Sequence, residues 1–365
     1  TLFPARSWII REPLGVVLII GTWNYPVQLT LMPLVAAIAA GNCVIVKPSE
    51  VSAATSAALA RLMPVYLDSN CIGVVEGGAN ETAALLNEKF NHIFYTGGAR
   101  VGKIVAQAAA QSLTPVTLEL GGKSPCIVDE TANIEVAARR IAFGKFLNAG
   151  QTCIAPDYVL VHACREEELL AALKRAITDF YGDKPHSSPD YARIVNDQHF
   201  DRVSRLLVGN EVFVGAETDR ESHYIAPTLL RRVDAESPVM SEEVFGPVLP
   251  VLTVSNLSEA IDFVNARPKP LALYLFTESR KAERAVLTRT SSGGVCINST
   301  LMHHVNERLP FGGVGDSGFG NYHGRFGFET FSHQRAVLRK PARPDIPLAY
   351  PRYTRVKDFL LRWIL

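Results

Sequence analysis

Apolar and polar positions alternate along this chain in blocks, short apolar runs followed by longer stretches of helical spacing. Gly15-Val16-Val17-Leu18-Ile19-Ile20-Gly21 is apolar on both faces, the pattern of a strand inside a parallel sheet. Leu29–Ala40 is Ala-rich and stops at Gly41-Asn42, which predicts a buried helix, and Cys43–Val46 predicts the next strand. The alternation continues with a helix over 53–67, a strand over 72–75, a helix around 81–87 and a strand over 92–95. An Ala-rich helix and a strand over 116–120 follow. Ile134–Phe146 and Glu166–Tyr181 read as amphipathic helices flanking a strand over 158–161. Repeated strand-helix-strand units define a doubly wound α/β architecture.

Ligands of such sheets bind beyond the carboxyl ends of the strands, so the residues there are the candidates. Asn24, in the turn Thr22-Trp23-Asn24-Tyr25-Pro26, offers a carboxamide donor or serves as a turn-forming Asn. Lys47 and Glu50, in Lys47-Pro48-Ser49-Glu50, have the chemistry to hold ribose hydroxyls, or else flank a helix-capping Ser. Thr96-Gly97-Gly98 runs on to Gly102, a glycine-rich approach to a helix N-terminus. Ile104 stands where a P-loop needs Ser or Thr, and the spacing is not GxGxxG, which argues against a nucleotide triphosphatase and leaves a dinucleotide only weakly signalled. Glu119 ends a strand ahead of Gly121-Gly122, and Cys153 sits among small residues in Gly150-Gln151-Thr152-Cys153. A thiol and a base are half of a covalent catalyst, although each also fits an inert small residue or a solvated acid.

Composition narrows the field. The chain has 365 residues, with 37 Lys plus Arg against 36 Asp plus Glu, so no net field draws nucleic acid or an acidic membrane. Six scattered cysteines without a CxxC pair or a zinc-spaced His cluster predict no metal site and a reducing, cytoplasmic setting. No signal peptide is visible at Thr1-Leu2-Phe3-Pro4.

Taken together and in this order, Trp23-Asn24-Tyr25-Pro26, Lys47-Pro48-Ser49-Glu50, Thr96-Gly97-Gly98, Leu118–Lys123, Gly150–Cys153, Glu242–Pro247 and Pro310–Gly313 resemble the NAD(P)-dependent aldehyde dehydrogenases, nearest their class 3 branch. The resemblance covers essentially the whole chain. It implies a Rossmann-like cofactor domain, an α/β catalytic domain and a small β bridging arm. The expected boundaries are 1–14 for the arm, 15–119 for the cofactor domain, 120–315 for the catalytic domain and 316–365 for the bridging and C-terminal segment. The family also carries a helical segment before Trp8, so the sequence is expected to be a fragment.

The roles implied are residue by residue. Cys153 would be the nucleophile, Glu119 the base, and Asn24, with the Cys153 N–H, the oxyanion donor. Lys47, Glu50, Thr96, Gly97, Gly98 and Gly102 would bind the cofactor, with Glu243 at the nicotinamide ribose and Phe245 beside its ring. Tyr25, Thr152 and Phe311 would line an apolar substrate mouth. NAD is the expected cofactor, with NADP also accepted, because Glu50 repels a 2′-phosphate. Ser291–Asn298 and Pro310–Gly320 read as glycine-rich entrance loops. The arm before Pro13 and the strand over 328–337 have no evident partner in their own domain, which predicts a homodimer; the alternative is that the two pair within the chain as a hairpin and the molecule is monomeric. The terminal segment Asp358–Leu365 is too short to span a bilayer and is expected to dock on protein. The rival readings are an amide or nitrile hydrolase using the same Cys and Glu, and a binding protein on an enzyme's fold.

Overall fold

In the computed structural model, residues 5–343, 345 and 350–364 are described. Residues 13–332 form one unit built on two sheets. The first has the strand order Gly318–Phe319, Val116–Glu119, His92–Thr96, Val16–Ile20, Cys43–Lys47 and Ile72–Val74. All its neighbours are parallel except Gly318–Phe319, which runs antiparallel to Val116–Glu119. Val17, Leu18 and Ile19 at its centre are fully buried, as a strand apolar on both faces requires. Helix Gln28–Ala39 covers it and ends before Gly41, whose positive φ of +86° suits a residue without Cβ.

The second sheet runs Gly294–Ile297, Ala272–Phe276, Pro125–Val128, Tyr158–His162, Val248–Val254, Thr228–Arg231 and Glu211–Val214, antiparallel only at the last pair. Several of its helices start on side-chain caps: Asn133 accepts from Val136 N–H at 3.1 Å, Asn196 from His199 N–H at 3.0 Å and Asn256 from Glu259 N–H at 3.0 Å.

Three expectations change. Ser291–Asn298 is not simply a loop, since Gly294–Ile297 is an edge strand. Residues 316–332 do not belong with the C-terminal segment. Gly318–Phe319 joins the first sheet, and helix Gly324–Thr330 delivers Phe331 to within 5.4 Å of the His92 ring and 5.8 Å of the Phe94 ring. The unit accordingly ends at Ser332 rather than at 315.

The other unit comprises residues 1–12 and 333–365, of which residues 1–4, 344, 346–349 and 365 lie outside the described residues. Here the arm finds a partner in its own chain: strand Arg6–Pro13 pairs with Ser332–Arg339, and Arg335 contacts Glu12 at 3.0 Å. The premise that both strands lack a partner is therefore corrected. Arg355–Ile364 is a helix with Val356, Phe359 and Trp363 exposed. Among the described residues no helix is long and apolar enough to cross a membrane.

Candidate active site

Cys153 is presented by a strained turn. Asn148, Ala149 and Gly150 have φ of 52°, 50° and 75° in succession, and only the last is a residue for which that region is cheap. A Cβ on Gly150 would stand 2.2 Å from the Gly246 carbonyl, so this turn and the Glu243–Pro247 turn approach closer than any side chain allows. Gln151 ties the turn down, donating to Asn148 O and Arg193 O and accepting from Val195 N–H, each at 3.0 Å.

The turn after the first strand meets it. Asn24 Nδ2 donates to Gln151 O at 3.0 Å, Asn148 Nδ2 donates to Asn24 O at 3.1 Å, and the Tyr25 and Thr152 hydroxyls share a 2.8 Å hydrogen bond. Residues 127 apart in sequence are thus locked at the two sheets' junction, and Asn24, Tyr25, Thr152 and Cys153 are brought together.

Electrostatics of the thiol differ from the simple expectation of an activated cysteine. Burial pushes the Cys153 thiol up to about 12, the charges of Glu243 and then Glu119 add to the rise, and the backbone N–H groups of Cys153 and Ile154 pull it down. The resting surroundings hold the thiol protonated, so deprotonation must come from a base or a cation arriving with the reactants. Glu119 is 2% exposed, both its carboxylate oxygens lack a hydrogen-bond partner, and burial raises it well above the carboxylate range. A buried carboxyl with no partner is the mark of a functional site rather than of a structural ion pair.

Glu243 curls back toward the strand that ends in Glu119. Its carboxylate occupies the space where a Gly121 Cβ would be, 2.1 Å away, and the nearby Gly122 N–H tempers the rise of its pKa. Burial raises it to about 8, with the Asp157 charge adding to the rise. Phe245 has φ +42° and meets the Trp23 ring edge-on at 5.4 Å.

The remaining cofactor candidates line the carboxyl edge of the first sheet. Lys47 is 1% exposed; its Nζ donates to Pro48 O at 2.6 Å and pairs with Glu50 at 3.4 Å. Thr96 Oγ1 is buried without a partner, and Gly98 is the residue before helix Ala99–Gln111 with open space where a Cβ would point. Gly97 gives room to the Tyr95 hydroxyl, whose contact with a Cβ there would be 2.3 Å. Gly102 is different: it lies inside the helix with Leu120 Cδ2 at 2.8 Å from a Cβ, so it serves close packing. An orphaned hydroxyl, an orphaned carboxyl, a buried ammonium and an open helix N-terminus along one edge fit a dinucleotide. Phe311 is 7% exposed, stacked between His323 at 5.1 Å and His303 at 6.1 Å, so it backs the substrate wall more than it opens onto it.

Other supports had no role assigned from the sequence. Helix Asp197–Arg205 seats the Glu243 turn: Arg202 donates to Glu243 O at 3.2 Å and Val244 O at 2.7 Å, and His199 packs on Trp23 at 4.9 Å. Lys123 bridges Asp157, Val239 O and Glu242 O, while Asp157 accepts from Val244 N–H at 2.9 Å. Lys145 is fully buried with its Nζ unpartnered, and burial lowers it to about 8. Lys123 stands in the Leu118–Lys123 motif and Lys145 falls on the buried stripe of its helix with Ile134, Ala138 and Ile141, whereas nothing in the spacing marks Asp157, His199 or Arg202.

With this geometry in hand, comparison with known proteins gives one answer. The aldehyde dehydrogenase family model matches residues 4–337. Aldehyde dehydrogenase family 3 member A2 of Rattus norvegicus is 55% identical over 95% of this chain and 72% of its own length. The substrate-bound structure of Staphylococcus aureus AldH superposes with a TM-score of 0.96 at 49% identity, covering 100% of this chain and 80% of that one. A Mycobacterium tuberculosis aldehyde dehydrogenase complexed with NAD+ matches at TM-score 0.84 and 29% identity, over 93% of this chain and 72% of that one. The chain belongs to the aldehyde dehydrogenase family, the enzymes that oxidise aldehydes with NAD(P) as hydride acceptor.

Proposed function

We propose that this chain oxidises an apolar aldehyde to its carboxylic acid through a covalent adduct on Cys153, with Glu119 as the base. The observation that carries the assignment is the buried, unpartnered Glu119 carboxyl, near enough to Cys153 for its ionisation to raise that thiol. Cys153 Sγ attacks the aldehyde carbon and its proton leaves to a base; Glu119 is the one at hand once it has released its own resting proton to water. The oxygen that becomes negative needs donors already in place; Asn24 Nδ2, fixed against Gln151 O, and the Cys153 N–H are those donors. NAD(P), when bound, supplies the hydride acceptor that turns the adduct into a thioester. Lys47, Glu50, Thr96, the Gly97-Gly98 turn, Glu243 and Phe245 would hold it, while Gly102 serves by packing the helix behind them. Glu119 then takes a proton from the water that splits the thioester, and the acid departs.

NAD is preferred over NADP in this reading because Glu50 is anionic and half exposed beside Lys47, where a 2′-phosphate would add a second negative charge. Tyr25 and Thr152 line the substrate wall, with Phe311 packed behind it as apolar backing. The protein acts in the cytoplasm, which suits its free cysteines. It works as a homodimer through the segment outside residues 13–332, where an exposed apolar helix face and a two-stranded sheet with open edges invite a second copy. Activity is tested by NADH formation across aliphatic and aromatic aldehydes, with Cys153→Ala as control. Retention of even a tenth of wild-type turnover in that variant counts against the covalent route. A mass of one chain by light scattering at micromolar concentration counts against the dimer.

A further inference from the structure

Two thiols stand side by side at the end of the first sheet remote from the chemistry. Cys43 opens strand Cys43–Lys47, and Cys71 immediately precedes strand Ile72–Val74. These strands are parallel with Val44 opposite Ile72, so one step back sets Cys43 opposite Cys71. The ladder between them reaches that end: Val44 N–H donates to Cys71 O at 2.8 Å, while Cys43 N–H bonds Gly15 O beside the central strand and Cys71 N–H closes a turn on Asp68 O, each at 3.0 Å. Opposed residues direct their side chains to the same face, and neighbouring strands lie about 4.8 Å apart. That spacing falls within the Cα separation of about 4.4–6.8 Å that a disulfide bridges. Cys43 is also the largest influence on the Cys71 thiol and raises it, as a neighbouring thiol on the same face would. Both are free, Cys71 is exposed and Cys43 is partly so.

Small apolar filling explains a buried cysteine, but not an exposed one beside a second thiol. We propose that Cys43 and Cys71 form a thiol pair that closes to a disulfide when the protein meets a hydroperoxide. Cys71 sulfur attacks the hydroperoxide, the O–O bond breaks, an alcohol (water, for hydrogen peroxide) leaves, and Cys71 carries a sulfenic acid. Cys43 sulfur then attacks Cys71 sulfur, the S–S bond forms and water is expelled. Two thiol protons and two electrons pass to the hydroperoxide, which balances the step. The neighbouring Cys43 thiol holds the Cys71 thiol above its ordinary range, so closure is slow at neutral pH and quickens as pH rises.

The bond ties the edge strand Ile72–Val74 to the strand whose far end carries Lys47. The loop it closes contains Glu50 and helix Ala53–Tyr66. Because the link lies at the opposite end of the strand from Lys47, it stiffens this edge without displacing the cofactor residues. Restricting the unfolded chain stabilises the fold. It also ends the oxidation of Cys71 at a reversible stage.

The full chain is treated with hydrogen peroxide, alkylated, digested without reductant and analysed by mass spectrometry, alongside Cys71→Ser and Cys43→Ser. The expected result is a linked peptide pair joining Cys43 to Cys71, lost on reduction and absent from both variants. The oxidised wild type should melt several degrees higher than the reduced one. Neither serine variant should show that rise, and both should keep wild-type aldehyde turnover before oxidation. Alkylatable Cys43 beside a Cys71 oxidised to sulfinic acid overturns the proposal, as does a first disulfide formed elsewhere or between chains. An unchanged melting temperature in fully cross-linked protein overturns the stiffening.

Discussion

The Tyr25 hydroxyl sits 2.8 Å from Thr152 Oγ1, joining the turn after the first central strand to the residue before the reactive cysteine. This bond and the neighbouring Asn24–Gln151 contact hold the donor, the wall and the nucleophile in one register. Tyr25→Phe should cost about 0.5–1.5 kcal/mol of stability, the net value of one hydrogen bond, and lower turnover several-fold through a looser Cys153 turn. Urea titration and kcat with a single aldehyde measure the two effects; unchanged values in both would detach this bond from the site.

Asn24 is assigned to the developing oxyanion. Asn24→Ala should reduce kcat by about 10²–10³-fold while leaving the KM for NAD near wild type, the pattern of a donor lost in the transition state. A variant that loses cofactor affinity instead would place Asn24 with the nucleotide.

The buried acid has a signature in stability. In the unfolded chain a Glu ionises near about 4.3, whereas burial raises Glu119 well above that in the fold. Between those two values the folded state keeps a proton that the unfolded state has released, so stability falls as pH rises through this window. Glu119→Gln removes the slope. The variant should melt closest to wild type at pH 4 and increasingly above it toward pH 8, as read by thermal unfolding across pH. A constant difference over that range would mean that Glu119 is not held neutral.

Glu50 tests the choice of cofactor. Glu50→Gln should shift the ratio of kcat/KM for NADP over NAD toward NADP by about tenfold, the effect of removing one partly screened charge. No shift would relieve Glu50 of any part in selecting the ribose.

Much of this was legible before any coordinates. Val16–Ile20 and Cys43–Lys47 announce themselves as apolar runs because buried parallel strands have no polar face, and the candidate residues follow at their carboxyl ends. Helices Ile134–Phe146 and Glu166–Tyr181 are read to the residue, since each buries one stripe. The rest was hidden for identifiable reasons. Pro125–Val128 follows directly on the glycine motif and begins with Pro, which masks a strand. Asp197–Arg205 buries only Phe200 and Val203 in an otherwise polar nonapeptide, too little to declare a helix that steadies the Glu243 turn. The pairing of Arg6–Pro13 with Ser332–Arg339 joins the two ends of the sequence, beyond the reach of any local pattern. The protonated state of Cys153 arises from burial and from two carboxyl groups assembled in space.

The central claim is that Cys153 carries the substrate and Glu119 releases it. Glu119→Gln keeps the sulfur and loses the base, so mixing this variant with aldehyde and NAD, quenching in acid and weighing the protein tests both halves together. The expected outcome is a single, slowed turnover of NADH, because the base for the thiol proton is lost too, followed by near arrest, with an acyl mass added on the peptide containing Cys153. Full steady-state turnover at neutral pH with no adduct on that peptide would contradict it.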